Sequence, residues 1–411
     1  MSFRKLFFWL HLSAGLVAGL IIAILCCTGT VLAFEKKIVA WSERDVRRVS
    51  PPSAEARPLG LDELLAAFRA ARPEARIAHV IVSADPRTAV AIMTTKDAST
   101  FYLDPYTAAL RPSGPTPVRD FMKLVTEWHR YLARNGDQRP IGKAVTGAAN
   151  LVFLFLAVSG LYLWWPRQWT ARALRPSLWF VRSATGKARD RNWHNVAGFW
   201  SLPALIVLTT SGAVIGYTWA GDLVYKLSGE TPPRPGAAAP MFAGIIAAPT
   251  AETRRLTASE ALARVQAAHP TWQTILLREG LPPRRGAPTP QEVGPAGPTG
   301  PTAPAPTGPA PYSATVTGAN IVTDTVQLIL NPFTGEVLQS QGYADQTPGR
   351  RARMWLRYLH TGEALGWAGQ LIAGLASLSG CLLVYTGFAL SWRRFCTMRT
   401  KSKIGVRPTG P

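Results

Sequence analysis

Six histidines occur in this 411-residue chain, and four of them stand in two matching pairs of contexts. His11 lies in "WLHLSAG" and His194 in "NWHNVAG"; each is followed four residues later by a glycine, Gly15 or Gly198, and eighteen residues later by another, Gly29 or Gly212. Eighteen residues make five turns of an α-helix, so each histidine shares a face with both of its glycines, the farther one roughly 27 Å along the axis. His129 in "EWHRYL" and His360 in "LRYLHTG" form the second pair, each just ahead of a long apolar run. His79 and His269 occupy unrelated positions and are assigned no role.

A histidine at the edge of an apolar run is either an interfacial side chain among lipid headgroups or a functional ionisable group. The pairing favours the second reading. Two imidazoles facing each other offer one ring nitrogen to each side of a porphyrin iron, and a glycine one turn away removes side-chain bulk where the flat macrocycle nears the backbone. With both axial positions filled there is no open position for oxygen, which suits electron transfer. The expectation is two haem b groups, one between His11 and His194 and one between His129 and His360, with Gly15, Gly198, Gly29 and Gly212 as close-approach positions. Arg4, Arg191, Arg130 and Arg357 stand nearby, as partners for propionates or as membrane-edge anchors. Zinc or copper would need His, Cys or carboxylates at short range, and the sequence has no such cluster. No CxxCH attachment site occurs, so the haems are expected to be non-covalent. No GxGxxG fingerprint or flavin domain occurs either, so the electron donor is expected to be a separate reductase or the quinol pool. No catalytic side chain is assigned.

The elements that must position these residues are apolar. Charge-free runs cover 6–34, 144–166, 192–221 and 364–392, each at or above the roughly 20 residues that cross a hydrocarbon core. They predict four transmembrane helices, over 1–34, 141–166, 192–221 and 351–392. The first run is too long for a signal-peptide core and lacks a convincing A-x-A site, so it reads as a retained anchor. Cys26 and Cys27 fall inside the first run and Cys381 and Cys396 in or just beyond the last, a distribution that is neither a disulfide framework nor a CxxC site; they read as packing residues. Arg4 and Lys5, the loop 167–191 and the tail 393–411 together hold fifteen Lys/Arg against one Asp, much of the chain's net charge of +21. By the positive-inside rule these segments are cytoplasmic, which puts both termini inside a bacterial inner membrane. The basicity reports topology and lipid contact; no nucleic-acid motif accompanies it.

Segments 35–140 and 222–350 are then periplasmic. Each reads as a helix followed by alternating strands, and each closes with the same kind of turn, Asp104-Pro105-Tyr106-Thr107 or Asn331-Pro332-Phe333-Thr334. Each is therefore expected to be a small α+β unit. Residues 282–311 are Pro/Gly-rich and aperiodic, a disordered loop rather than collagen. The whole is expected to be a membrane all-α bundle of four transmembrane helices with two periplasmic α+β units, built as a parallel internal repeat about an axis along the membrane normal.

Nearly the whole chain resembles the PepSY-associated transmembrane family. The resemblance rests on Trp128-His129-Arg130 ahead of a helix ending "SGLYLWWP", on "WHNVAGFW", on "LHTGEALGWAGQ", and on the "DPYT" and "NPFTGEVL" turns. It implies PepSY-like outer units and, from members that are inner-membrane reductases of ferric siderophores with b-type haem on helix histidines, reduction of a ferric siderophore or other ferric chelate on the periplasmic side to release Fe(II). The first turn departs from the family in reading "DPYTAAL", with no Gly after Thr107, which leaves its turn type open. Two other readings stand beside this one: a non-enzymatic membrane sensor or protease regulator, and a transporter rocking about a midplane site. The latter would favour broken helices and central charges, of which Pro203 and Gln370 are the only hints.

Overall fold

The computed structural model describes residues 2–53, 55–95, 99–111, 116–166, 168–233, 246, 253–281 and 309–403. The loop expected to be disordered therefore lies, from 282 to 308, outside the described residues, as does the tail from 404. In chain order the structure runs α1 (Phe3–Leu32), α2 (Glu35–Ser42), α3 (Arg44–Arg47), α4 (Leu61–Ala71), β1 (Ile77–Ser83), β2 (Val90–Thr94), β3 (Thr100–Leu103), α5 (Thr116–Tyr131) and α6 (Arg139–Trp164). There follow α7 (Ala171–Leu178), α8 (Gly186–Gly216), α9 (Thr218–Leu227), α10 (Ala258–Ala268), β4 (Thr274–Glu279), β5 (Tyr312–Thr317), β6 (Thr325–Leu330), β7 (Val337–Gln341), α11 (Pro348–His360) and α12 (Gly366–Lys403). The chain divides into a helical unit, Met1–Lys37 with Arg119–Leu227 and Ala352–Pro411, and a sheet unit, Ile38–Val118 with Ser228–Arg351.

Four helices among the described residues are long and apolar enough to cross a membrane, with mean hydropathies of 2.4, 1.9, 1.6 and 1.8 against +0.07 for the chain. At most 33% of each apolar window is buried within the protein, so most of that surface needs a second apolar phase, which lipid supplies. α1 packs on α6 and α12, and α8 packs on the same two helices. Small residues let the backbones approach: the Phe388 ring fills the space over Gly19, and the Phe34 ring that over Gly374.

The fourth apolar segment is not one helix over 351–392. It breaks after His360, where Gly362 and Gly366 take φ of +75° and +59° before α12 begins. A Cβ at Gly362 would collide with the backbone of Gly369 and Gln370, so only glycine permits this turn. The chain makes a comparable break after His129, where Leu132, Ala133 and Gly136 have positive φ between α5 and α6. His129 and His360 thus end short amphipathic helices that precede the long apolar ones. α8 begins at Gly186, ahead of the expected 192, and stops at Gly216.

The sheet unit also differs from expectation. The outer segments do not build two sheets; they share one antiparallel seven-stranded sheet in the order β3-β2-β1-β4-β5-β6-β7. β1 and β4 join the halves, with Val80 opposite Leu277 and Val82 opposite Ile275. Two separate sheets of three and four strands would each expose an additional edge of unpaired backbone groups, and this pairing removes both. One core follows: Leu64 and Phe68 of α4 and Ala261 and Val265 of α10 pack with Val80, Ile92, Ile275 and Leu328. The two helices cap each other. Asp62 accepts from the Ala258 and Ser259 amides at 2.9 and 3.2 Å, and Ser259 Oγ accepts from the Asp62 amide at 3.0 Å. The two closing turns are one type. Asp104 and Asn331 each accept from the amide two residues on at 2.9 Å, and Ala108 adopts φ +56° where the second turn has Gly335 at +73°.

Candidate histidine sites in the helical unit

Each of the four paired histidines rests on a neighbouring helix, over a hydroxyl residue followed by glycine. His11 of α1 places Nδ1 2.8 Å from Ser159 Oγ of α6, and its Cε1 lies 3.4 Å from where a Cβ on Gly160 would stand. His129 of α5 sits 2.8 Å from Thr28 Oγ1 of α1, with Cε1 3.5 Å from the corresponding point on Gly29. His194 of α8 sits 2.9 Å from Thr386 Oγ1 of α12, beside Gly387. His360 of α11 sits 3.0 Å from Ser211 Oγ of α8, with Cε1 3.3 Å from the Cβ point on Gly212. The glycine lets the ring lie close to the supporting helix, and the hydroxyl fixes its rotation.

Three of the hydroxyls also fix the tautomer. Thr28 Oγ1 donates to the Ile24 carbonyl at 2.6 Å and Thr386 Oγ1 to the Leu382 carbonyl at 2.7 Å; Ser211 donates to Val207 and Ser159, at 3.4 Å, to Leu156. A hydroxyl has one hydrogen. With the hydrogens of Thr28, Thr386 and Ser211 committed to the helix, their oxygens accept from the imidazole, so Nδ1 of His129, His194 and His360 carries the proton. At His360 a second acceptor, the Leu208 carbonyl at 3.0 Å, requires the same. The lone pair of these three rings is then on Nε2, and none of the four Nε2 atoms has a hydrogen-bond partner among the described residues. A neutral imidazole with anchored Nδ1–H and free Nε2 is prepared as a metal ligand.

One pair of rings also meets: the His129 and His360 centroids are 6.4 Å apart with planes at 60°. The pair draws one histidine from either half of the chain. A Cβ on Gly15 would meet nothing nearer than Leu156 at 4.0 Å and one on Gly198 would meet Leu383 at 3.5 Å, both ordinary van der Waals contacts. Gly29 and Gly212 instead lie directly beneath His129 and His360. Arg4 donates to the Leu163 and Trp165 carbonyls at 2.7 and 3.3 Å, closing the end of α6. Among the described residues no three His, Cys, Asp or Glu side chains converge on a metal-ion site. The sequence reading missed Thr28, Ser159, Ser211 and Thr386 with Gly160 and Gly387, although the recurrence of Ser/Thr-Gly inside the apolar runs was visible.

Four apolar helices, with half-buried histidines on α1, α5, α8 and α11, joined to an antiparallel sheet, define a polytopic membrane protein. Its family is that of the PepSY-associated TM region, which matches residues 8–394, and the chain belongs to it. No curated protein matches the chain.

Proposed function

We propose that this protein transfers electrons across the bacterial inner membrane, binding two non-covalent haem b groups and reducing ferric iron, in a siderophore or another ferric chelate, on the periplasmic side to release Fe(II). The observation that carries the reading is the set of four imidazoles with Nδ1 held by a Ser or Thr hydroxyl of a neighbouring helix and Nε2 without a hydrogen-bond partner among the described residues. Their spacing supports it. Two metal–imidazole bonds of about 2 Å put the ligating nitrogens about 4 Å apart and the ring centroids roughly 6 Å apart, against 6.4 Å for His129 and His360.

Haem held by these histidines would supply reversible one-electron chemistry. The chain's own residues supply the rest. Thr28, Ser159, Ser211 and Thr386 orient the imidazoles and, where they accept from Nδ1–H, raise their basicity as ligands. Gly15 and Gly198 carry no side chain one turn from His11 and His194. The matching contacts in the two halves support a parallel internal repeat, and the basic segments support cytoplasmic termini. A separate reductase or a quinol is the donor.

The test is spectroscopic, then kinetic. Purified protein should show a Soret band and a b-type pyridine haemochrome at about two haems per chain, one for each pair of axial ligands. Dithionite-reduced protein should be reoxidised by a ferric siderophore, with matching Fe(II) captured by a chelator. Absence of a Soret band after reconstitution with haem would sink the haem reading, and reoxidation no faster than in buffer would sink the reductase reading.

A further inference from the structure

We propose that Cys27 of α1 and Cys381 of α12 are a redox-active thiol pair inside the apolar span, oxidised to an interhelical disulfide by a lipid-soluble quinone. Sequence alone made these cysteines packing residues, since their distribution is neither a disulfide framework nor a CxxC site; Cys27 and Cys381 are 354 positions apart. In the fold their sulfurs are 3.2 Å apart. A disulfide needs about 2.05 Å, a closure of roughly 1 Å that side-chain rotation can provide.

The helices that carry the pair cannot easily drift apart. Cys26 Sγ occupies the space a Cβ on Gly380 would need, locking α1 to α12 one residue from each reactive sulfur. Phe388 over Gly19 and Phe34 over Gly374 hold the same interface on either side. Access selects the reagent. Cys26 is buried, Cys381 partly accessible, and Cys27 exposed on the bundle's surface, within the charge-free apolar window of α1. Charged water-soluble thiols and oxidants are excluded from that layer; a quinone dissolves in it. In the reaction both S–H bonds break and one S–S bond forms. The electron pair and the two protons pass to the quinone, which leaves as hydroquinone. The cross-link ties α1, which carries His11 and the Thr28-Gly29 support, to α12, which carries Thr386-Gly387. It stands independently of any haem.

The experiment uses the full chain in lipid nanodiscs, treated with a short-chain quinone, denatured, alkylated with N-ethylmaleimide and weighed intact. Untreated protein should accept four alkyl groups, one for each cysteine. Treated protein should accept two, should lack two hydrogens, and should have released one hydroquinone per cross-link. Cys26→Ser should keep the cross-link, whereas Cys27→Ser and Cys381→Ser should lose it with unchanged helical circular dichroism. Four alkylated cysteines in treated wild-type protein, a quinone adduct in place of the disulfide, or a cross-link that survives Cys27→Ser overturns the proposal.

Discussion

At the scale of single residues, the hydroxyl beneath each imidazole makes the strongest distinction. Ser159 has the longest bond to its own helix, and His11 has only Ser159 to hold Nδ1, whereas His360 is held by Ser211 and by the Leu208 carbonyl. On the proposed ligation, Ser159→Ala should weaken haem binding by about 10–100-fold and Ser211→Ala by distinctly less, as read by haem titration of the apoprotein. Ala108 holds a left-handed conformation that glycine occupies in the equivalent turn. Ala108→Gly should therefore stabilise the sheet unit by about 0.5–1 kcal/mol in denaturant unfolding. His79 carries a pH dependence. Burial first, and then the Arg278 guanidinium 3.2 Å away, push its imidazole below the ordinary value of 6.5. The folded state thus prefers neutral His79, so its contribution is fully present above pH 6.5 and is lost as pH falls toward the lowered folded value. Thermal unfolding followed from pH 7.5 to 5 should show that decline, and His79→Gln should flatten it. The paired histidines were legible because a spacing of eighteen is a property of one helix. Their supports were not, because His11 and Ser159 are 148 residues apart and only packing brings them together.

At the scale of elements, α4 and α10 depend on each other's first turns. Removing Asp62 takes both oxygens from the α10 amides, and removing Ser259 takes the acceptor from α4. Asp62→Ala should cost about 1–2 kcal/mol and Ser259→Ala about 1, measured by denaturant unfolding with Trp272, which packs against the shared core, as reporter. The pair should be non-additive, since one contact region is lost in either case. Helices, strands and both closing turns could be read from local periodicity. The joining of β1 to β4 could not: register between strands separated by nearly two hundred residues leaves no local pattern, and each half by itself looks like a complete small unit. The break between α11 and α12 was written in Gly362 and Gly366, but an apolar run with glycines also reads as a continuous span.

At the scale of the whole molecule, the proposed sidedness rests on the positive-inside rule applied to the basic segments. Reporter fusions after Arg175 should behave as cytoplasmic and fusions near Ser99 as periplasmic. A periplasmic signal at Arg175 would invert the proposed direction of electron flow. It would leave the four imidazole supports untouched, because they are set by packing alone.

Every histidine and its support lie on different helices, and the ribosome delivers them in a fixed order. Thr28-Gly29 is made before His129, and His11 waits for Ser159-Gly160, so both supports of the first half are complete by residue 160. Those of the second half are complete only at residue 387. Until His194 and His360 emerge, a growing chain holds two oriented imidazoles with nothing opposite them. On the proposed ligation, a porphyrin arriving then would find one axial nitrogen instead of two. Loading is thus staged in biogenesis: His129 and His360 have both of their supports by residue 360, His11 and His194 only by residue 387, so a chain truncated before α12 should be made and inserted yet bind at most one haem.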